Sequence, residues 1–177
     1  MILNVAGAEI LKVIRAQSVI VESGQRADDL FDMVKHLVGF PDANDYLAAV
    51  QSGLGIRYSI PGDHQLLGRR VPDADISSPT GATRIYELLN TAHTVLLDFP
   101  STPELRAAAA DWASRIDVIR AQSTSDTWSI PGLGKIPVPA AVLIRPDGYV
   151  AWMDSGDHDP AGLQEALTTW CGPGVHA

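Results

Sequence analysis

Apolar residues recur with two different periods along the chain, and a stretch with neither period separates them. In residues 2 to 21, Ile2, Ala6, Ile10, Val13, Ile14 and Val21 fall on one helical stripe, with Lys12, Arg15 and Ser18 away from it. Val5, Leu11 and Val19 lie off that stripe, the pattern of a helix that touches more than one neighbour. Leu30, Phe31, Val34, Leu37 and Val38 predict a second helix, ended by Gly39 and Pro41. A third, short helix fits PDANDYLAAVQSG, with Tyr46, Leu47 and Val50 inward and Gly53 at its end. Residues 54 to 82, LGIRYSIPGDHQLLGRRVPDADISSPTGA, are rich in Gly, Pro and Asp and hold no sustained period. They read as a connector between a helical segment, 1–53, and a second region, 83–177. A connector of this length is expected to lie along the surface of the second region.

That second region mixes strand and helix patterns. TVLLDF (94 to 99) reads as a buried strand, and Ser101 with Glu104 as a capping box. The helix it opens carries Leu105, Ala108, Ala109, Trp112, Ala113 and Ile116. DVIRAQS (117 to 123) follows as a strand, so a βαβ unit with two parallel strands is expected. After a loop to Pro139, AAVLI and YVAWM form a hairpin, in which Pro146, Asp147 and Gly148 suit a type I turn ending in a glycine bulge. Asp159 and Pro160 open a last helix with Leu163, Ala166, Leu167, Trp170 and Cys171 on one face, stopped by Gly172 and Pro173. The order β-α-β, then β-β-α, is that of the thioredoxin fold, so the sequence predicts an α/β chain: a thioredoxin-like domain preceded by an α-helical segment. Trp112, Trp152 and Trp170 are expected to be buried. Pro139 precedes a central strand, where thioredoxin folds commonly hold a cis proline, so a cis Val138–Pro139 bond is one expectation.

Composition narrows the function classes. The 177 residues are 46% hydrophobic and 19% charged, enough to build a core, and the formal net charge is 13 − 21 = −8. That sign opposes attraction to phosphate backbones and to anionic lipid, so neither nucleic acid nor a membrane surface is an expected partner. A single cysteine, Cys171, forms no intrachain disulfide, no CxxC pair and no thiolate zinc site, which fits a reducing, cytoplasmic setting.

Candidate chemistry is sparse. The redox cysteine of a thioredoxin-like domain would open the helix after its first strand, but that place holds Phe99-Pro-Ser-Thr-Pro-Glu104. Cys171 reads as a buried, inert thiol on the last helix. DSGDHDP (154 to 160) gathers three aspartates and a histidine, and helix capping by Asp159 explains the spacing without a metal. His36, His64, His93 and His176 are scattered, with no Ser or Cys nucleophile motif near them. SGLGIR (52 to 57) and PGLGKIP (131 to 137) match neither the dinucleotide fingerprint nor the P-loop. No catalytic, cofactor-binding or metal-binding residue is therefore assigned. Arg57, Tyr58, Arg69 and Arg70 are the candidate ligand or interface residues, suited to an acidic or aromatic ligand between the helical and thioredoxin-like parts.

YLAAVQSGLGIRYSIPGDHQLLGRRVPDADI, then TRIYELLNTAHTVLLDF, then RPDGYVAW resemble the C-terminal third of FAD-dependent aromatic hydroxylases acting on phenols and polyketides. In such enzymes the flavin-binding glycine motif, the GD motif and the substrate pocket precede the matched region. The resemblance therefore implies FAD bound by a domain that this chain lacks, and it assigns no catalytic residue here. It implies a non-catalytic structural or interaction domain, with a homodimeric partner or a flavin-binding partner subunit. A component of a split FAD-dependent monooxygenase and a small-ligand binding module are the alternative readings. Helices shaped to pack on a flavin domain are expected to expose apolar residues and so to self-associate or dock.

Overall fold

The computed structural model describes residues 7, 11–16, 18, 25–100, 102–131 and 133–175. Most of the helix expected over residues 2 to 21 lies outside them, though residues 11–16 are helical. The chain divides into two compact units between Ser59 and Ile60.

The first unit contains α1 (Gln25–Val38) and α2 (Pro41–Ser52). Between them, Phe40 takes an extended conformation and Pro41 pre-sets the first helical φ of α2. Gly53 ends α2 in the left-handed region, at φ 72°, and its N–H donates to the Val50 carbonyl. Ala49 is the one fully buried hydrophobic residue among those described here. Tyr46, expected inward, is 68% exposed, and Leu47 and Val50 are only half-buried.

The second unit is built on a four-stranded sheet of β3 (Thr94–Asp98), β4 (Ile116–Arg120), β8 (Ala141–Ile144) and β9 (Val150–Asp154). Their spatial order is β4-β3-β8-β9. β3 and β4 are parallel, as the βαβ reading requires, and β8 lies antiparallel to both β3 and β9. With α4 (Pro103–Ala108) between β3 and β4 and α5 (Pro160–Cys171) after β9, the element order is consistent with a thioredoxin-like domain.

Alternation along the sheet sends side chains into two cores. Val95, Leu97, Val142, Ile144 and Val150 meet Leu66, Ile76, Ile85 and Trp128 on one face. Leu96, Leu143 and Trp152 meet Leu105, Trp112, Leu163 and Leu167 on the other. The register shifts between Leu143 and Ile144, which inserts Ala151 as a bulge in β9.

Several sequence expectations need correction. The connector is not structureless: β1 (Asp75–Ser78) and β2 (Gly81–Arg84) form a hairpin, and the short helix α3 (Ile85–Leu88) follows it. β5 (Gln122–Ser123) pairs with β1, so the predicted strand over 117 to 123 is shared between two sheets. The expected loop before Pro139 contains a second hairpin, β6 (Thr127–Ile130) with β7 (Gly134–Pro137). Trp128 and Ile136 face each other across it and are both buried.

α4 is shorter than predicted and gives way to a 3-10 turn at Ala110–Trp112. Thr102 is its N-cap, without a side-chain cap bond, while Ser101 lies outside the described residues. Trp112 and Arg115 leave the helical path to serve the end of α5: the Trp112 indole N–H donates to the Gly172 carbonyl at 2.7 Å, and Arg115 donates to the carbonyls of Cys171 and Pro173. Trp112 and Trp152 are buried, whereas Trp170 and Cys171 are half-buried. The Val138–Pro139 peptide is trans.

Candidate functional site

A cleft of about 440 Å³ opens in the second unit beside the last strand and the last helix. One wall is made by the strap that runs from Ile60 to Val71. Leu66, Leu67 and Val71 are buried, and they press this segment onto the sheet. The strap then closes the outer edge of β9: the Gly68 N–H donates to the Val150 carbonyl, the Val150 N–H to the Arg69 carbonyl, and the Val71 N–H to the Gly148 carbonyl, at 2.9 to 3.0 Å. At Gly62 the backbone has φ 121°, and a Cβ there would stand 2.5 Å from the Leu67 side chain, so both conformation and space favour glycine.

The floor of the cleft is Trp152 with Met153, and α5 supplies the opposite wall through Gly162, Ala166 and Trp170. Those three helix positions share a face at helical spacing. A Cβ on Gly162 would stand 3.2 Å from Trp152 Nε1 and 2.0 Å from Asp159 Oδ2, so the absence of a side chain lets the indole edge and the capping carboxylate meet the helix. Asp63, His64, Asp159 and Glu165 bring the charged and titratable groups to this cleft. Partial burial lowers the His64 pKa from its ordinary value, and its Nδ1 accepts the Leu66 backbone N–H at 3.1 Å. That bond places the proton of the neutral ring on Nε2. The cleft combines carboxylate acceptors, indole surfaces and apolar walls, which is the equipment of a binding surface.

The predicted ligand residues fall in both units. Arg57 and Tyr58 belong to the first unit, Arg69 and Arg70 to the second, and none of the four lines this cleft. Arg70 lies 5.3 Å from the centre of the Tyr149 ring. Burial opposes its charge, but the phenols of Tyr149 and Tyr86 outweigh that and raise its pKa above the ordinary arginine value. Pro146, Asp147 and Gly148 do form the turn of the β8–β9 hairpin. The Gly148 N–H donates to the Arg145 carbonyl at 2.8 Å, Gly148 has φ 83°, and the Asp147 carboxylate accepts from Arg145 Nη2 and the Tyr149 N–H.

The DSGDHDP run is used for local architecture. Asp98, Ala141 and Asp154 form one row across the sheet, and both aspartates are buried. Asp98 Oδ1 accepts the Thr102 N–H, while Asp154 Oδ1 accepts those of Gly156 and His158. Each carboxylate therefore ties the end of its strand to the loop that leaves it. His158 Nδ1 lies 3.3 Å from Asp154 Oδ2, and Asp159 caps α5 through the Gly162 N–H at 2.9 Å. Among the described residues, no three His, Cys, Asp or Glu side chains gather in a way that would hold a metal ion.

FAD, which the resemblance implies, does not fit the described residues. The glycines of residues 52 to 57 follow the end of α2, and Gly134 begins β7 in a hairpin, so neither segment is the strand-to-helix turn that receives a pyrophosphate. At the start of α5 the Asp159 carboxylate accepts the Gly162 N–H, and its charge would repel a phosphate.

The fold and site thus define an α/β domain without a recognisable flavin cradle among its described residues, attached to a helical unit. Residues 64–174 match the model of the C-terminal domain of aromatic-ring hydroxylases, and the chain belongs to that family. It is 36% identical over 167 residues to the 12-dehydrotetracycline 5-monooxygenase/anhydrotetracycline 6-monooxygenase of Streptomyces rimosus, covering 94% of this chain and 32% of that enzyme. It is 31% identical to a dialkyldecalin synthase of Streptomyces rugosporus, covering 96% of this chain and 30% of the other. Among solved structures, the anhydrotetracycline hydroxylase OxyS of Streptomyces rimosus superimposes with a TM-score of 0.81 at 34% identity, covering 96% of this chain and 34% of that one. CabE, an aromatic hydroxylase from angucycline biosynthesis, gives 0.79 at 38%, again covering 96% and 34%. The chain spans about a third of the length of the curated relatives it matches. One of these relatives is named a synthase, so membership of the family does not define a single reaction.

Proposed function

We propose that this chain is a non-catalytic structural and docking part of an FAD-dependent aromatic hydroxylase, whose oxidation chemistry resides in a flavin-binding body. One observation carries the reading: among its described residues the helical unit leaves several large apolar side chains exposed. Leu11, Ile14, Phe31, Met33, Leu37 and Phe40 are exposed, with Phe31 at 53% and Phe40 at 63%. Large apolar residues left in water call for a covering surface. A family whose relatives extend about three times the length of this chain supplies a natural one. Where that body is a separate polypeptide, the pair is a split monooxygenase. Where a second copy covers these residues, the chain is a homodimer.

Exposed positions test the reading without touching the core of the second unit. Phe31→Asp and Phe40→Asp each place a charge in the proposed contact. In calorimetric titrations against a separately produced flavin-binding portion of a tetracycline-hydroxylase relative, each is expected to weaken association by at least about tenfold. The melting temperature of the chain alone should stay unchanged. Undiminished association of both variants would defeat the proposal.

A further inference from the structure

We propose that the cleft between the strap at residues 60–64 and α5 is a binding site for a flat aromatic cation, a ring system carrying a protonated or quaternary amine. This inference does not depend on the docking role of the helical unit.

Size comes first. The α5 wall runs from Gly162 to Trp170, eight helical steps or about 12 Å of helix. Gly162 and Ala166, one turn apart, keep that wall low where larger side chains would fill the groove. The volume of about 440 Å³ suits a small ring system, and pockets of about 300 to 1,000 Å³ commonly hold such ligands.

Chemistry then selects the charge. Trp152, 8% exposed, lies at the floor with its Nε1 edge toward Gly162. Asp63 on the strap and Glu165 on the helix bring negative charge from opposite walls, and Asp159 adds a third carboxylate at one end. No lysine or arginine is among the lining residues, and partial burial disfavours the charged form of His64. Carboxylates gathered on opposite walls of an apolar cleft attract organic cations and repel anions. Trp170 is already engaged, with the Arg145 guanidinium 4.2 Å from its ring centre, so the Trp152 indole N–H at the floor is the reporter of an occupant.

The test titrates the full chain with (naphthylmethyl)trimethylammonium while following the indole N–H resonances by NMR, with naphthoate as the anion of similar shape. The expected result is a saturable shift of the Trp152 indole signal with the cation and none with naphthoate. Glu165→Gln, at an exposed position, should weaken cation binding about threefold. Ala166→Leu, which fills the groove, should abolish it. A silent Trp152 signal, equal binding of naphthoate, or binding that survives Ala166→Leu would overturn the proposal.

Discussion

At the residue scale, the most consequential side chains are two buried aspartates that sequence patterns do not distinguish from their exposed neighbours. Asp154 is 3% exposed and accepts two backbone N–H groups, whereas Asp157, three residues on, is exposed. Removing the buried acceptor strands both donors, so Asp154→Ala is expected to destabilise the fold by about 1–3 kcal/mol. Asp157→Ala should change stability by less than about 0.5 kcal/mol. Urea unfolding of the two variants makes the comparison.

His64 sets a second expectation. Its folded-state pKa lies below the ordinary value of 6.5, so between the two values the unfolded chain binds the extra proton. Its contribution to stability is therefore complete above about pH 6.5 and declines as the pH falls from there toward the folded value. In melting curves recorded across that window, His64→Gln should lose less stability on acidification than the parent chain. An equal loss would remove His64 from the account.

At the element scale, what could be read from the sequence followed the locality of the signal. The β8–β9 hairpin and α5 are specified by neighbouring residues: Gly148 holds φ 83°, Asp159 caps the helix through Gly162, and Gly172 follows its end. Gly148→Val forces a β-branched residue into the left-handed region and is expected to cost about 1–2 kcal/mol in thermal or urea denaturation. The β1–β2 and β6–β7 hairpins escaped notice because each strand is four residues long and their turns are rich in Pro and Gly. In β6 only Trp128 and Ile130 mark the buried face, too few for a period to stand out. The shortening of α4 was illegible for another reason: the alanine-rich run favours helix locally, but Trp112 and Arg115 are drawn to carbonyls some sixty residues away. The binding cleft escaped for a related reason, since its walls come from the strap, β9 and α5, and no single segment carries a motif. Arg57, Tyr58, Arg69 and Arg70 stand out in the sequence by residue type and adjacency, and none of them lines the cleft of the second unit.

At the scale of the whole molecule, the two units differ in how they satisfy their apolar residues. The second encloses two cores around its sheet. The first, among its described residues, leaves Phe31, Met33, Leu37 and Phe40 exposed. Nearly the whole chain matches about one third of an anhydrotetracycline monooxygenase, and the proposal that it docks onto a flavin-bearing body rests on these exposed residues. The decisive measurement is size-exclusion chromatography with light scattering on the chain alone, with added FAD, and with a separately produced flavin-binding portion of a relative, recording flavin absorbance throughout. The account predicts a colourless chain that ignores FAD and a complex of one chain with one flavin-bearing partner. Stoichiometric flavin on the chain by itself, or a partner that elutes apart from it, would contradict the account.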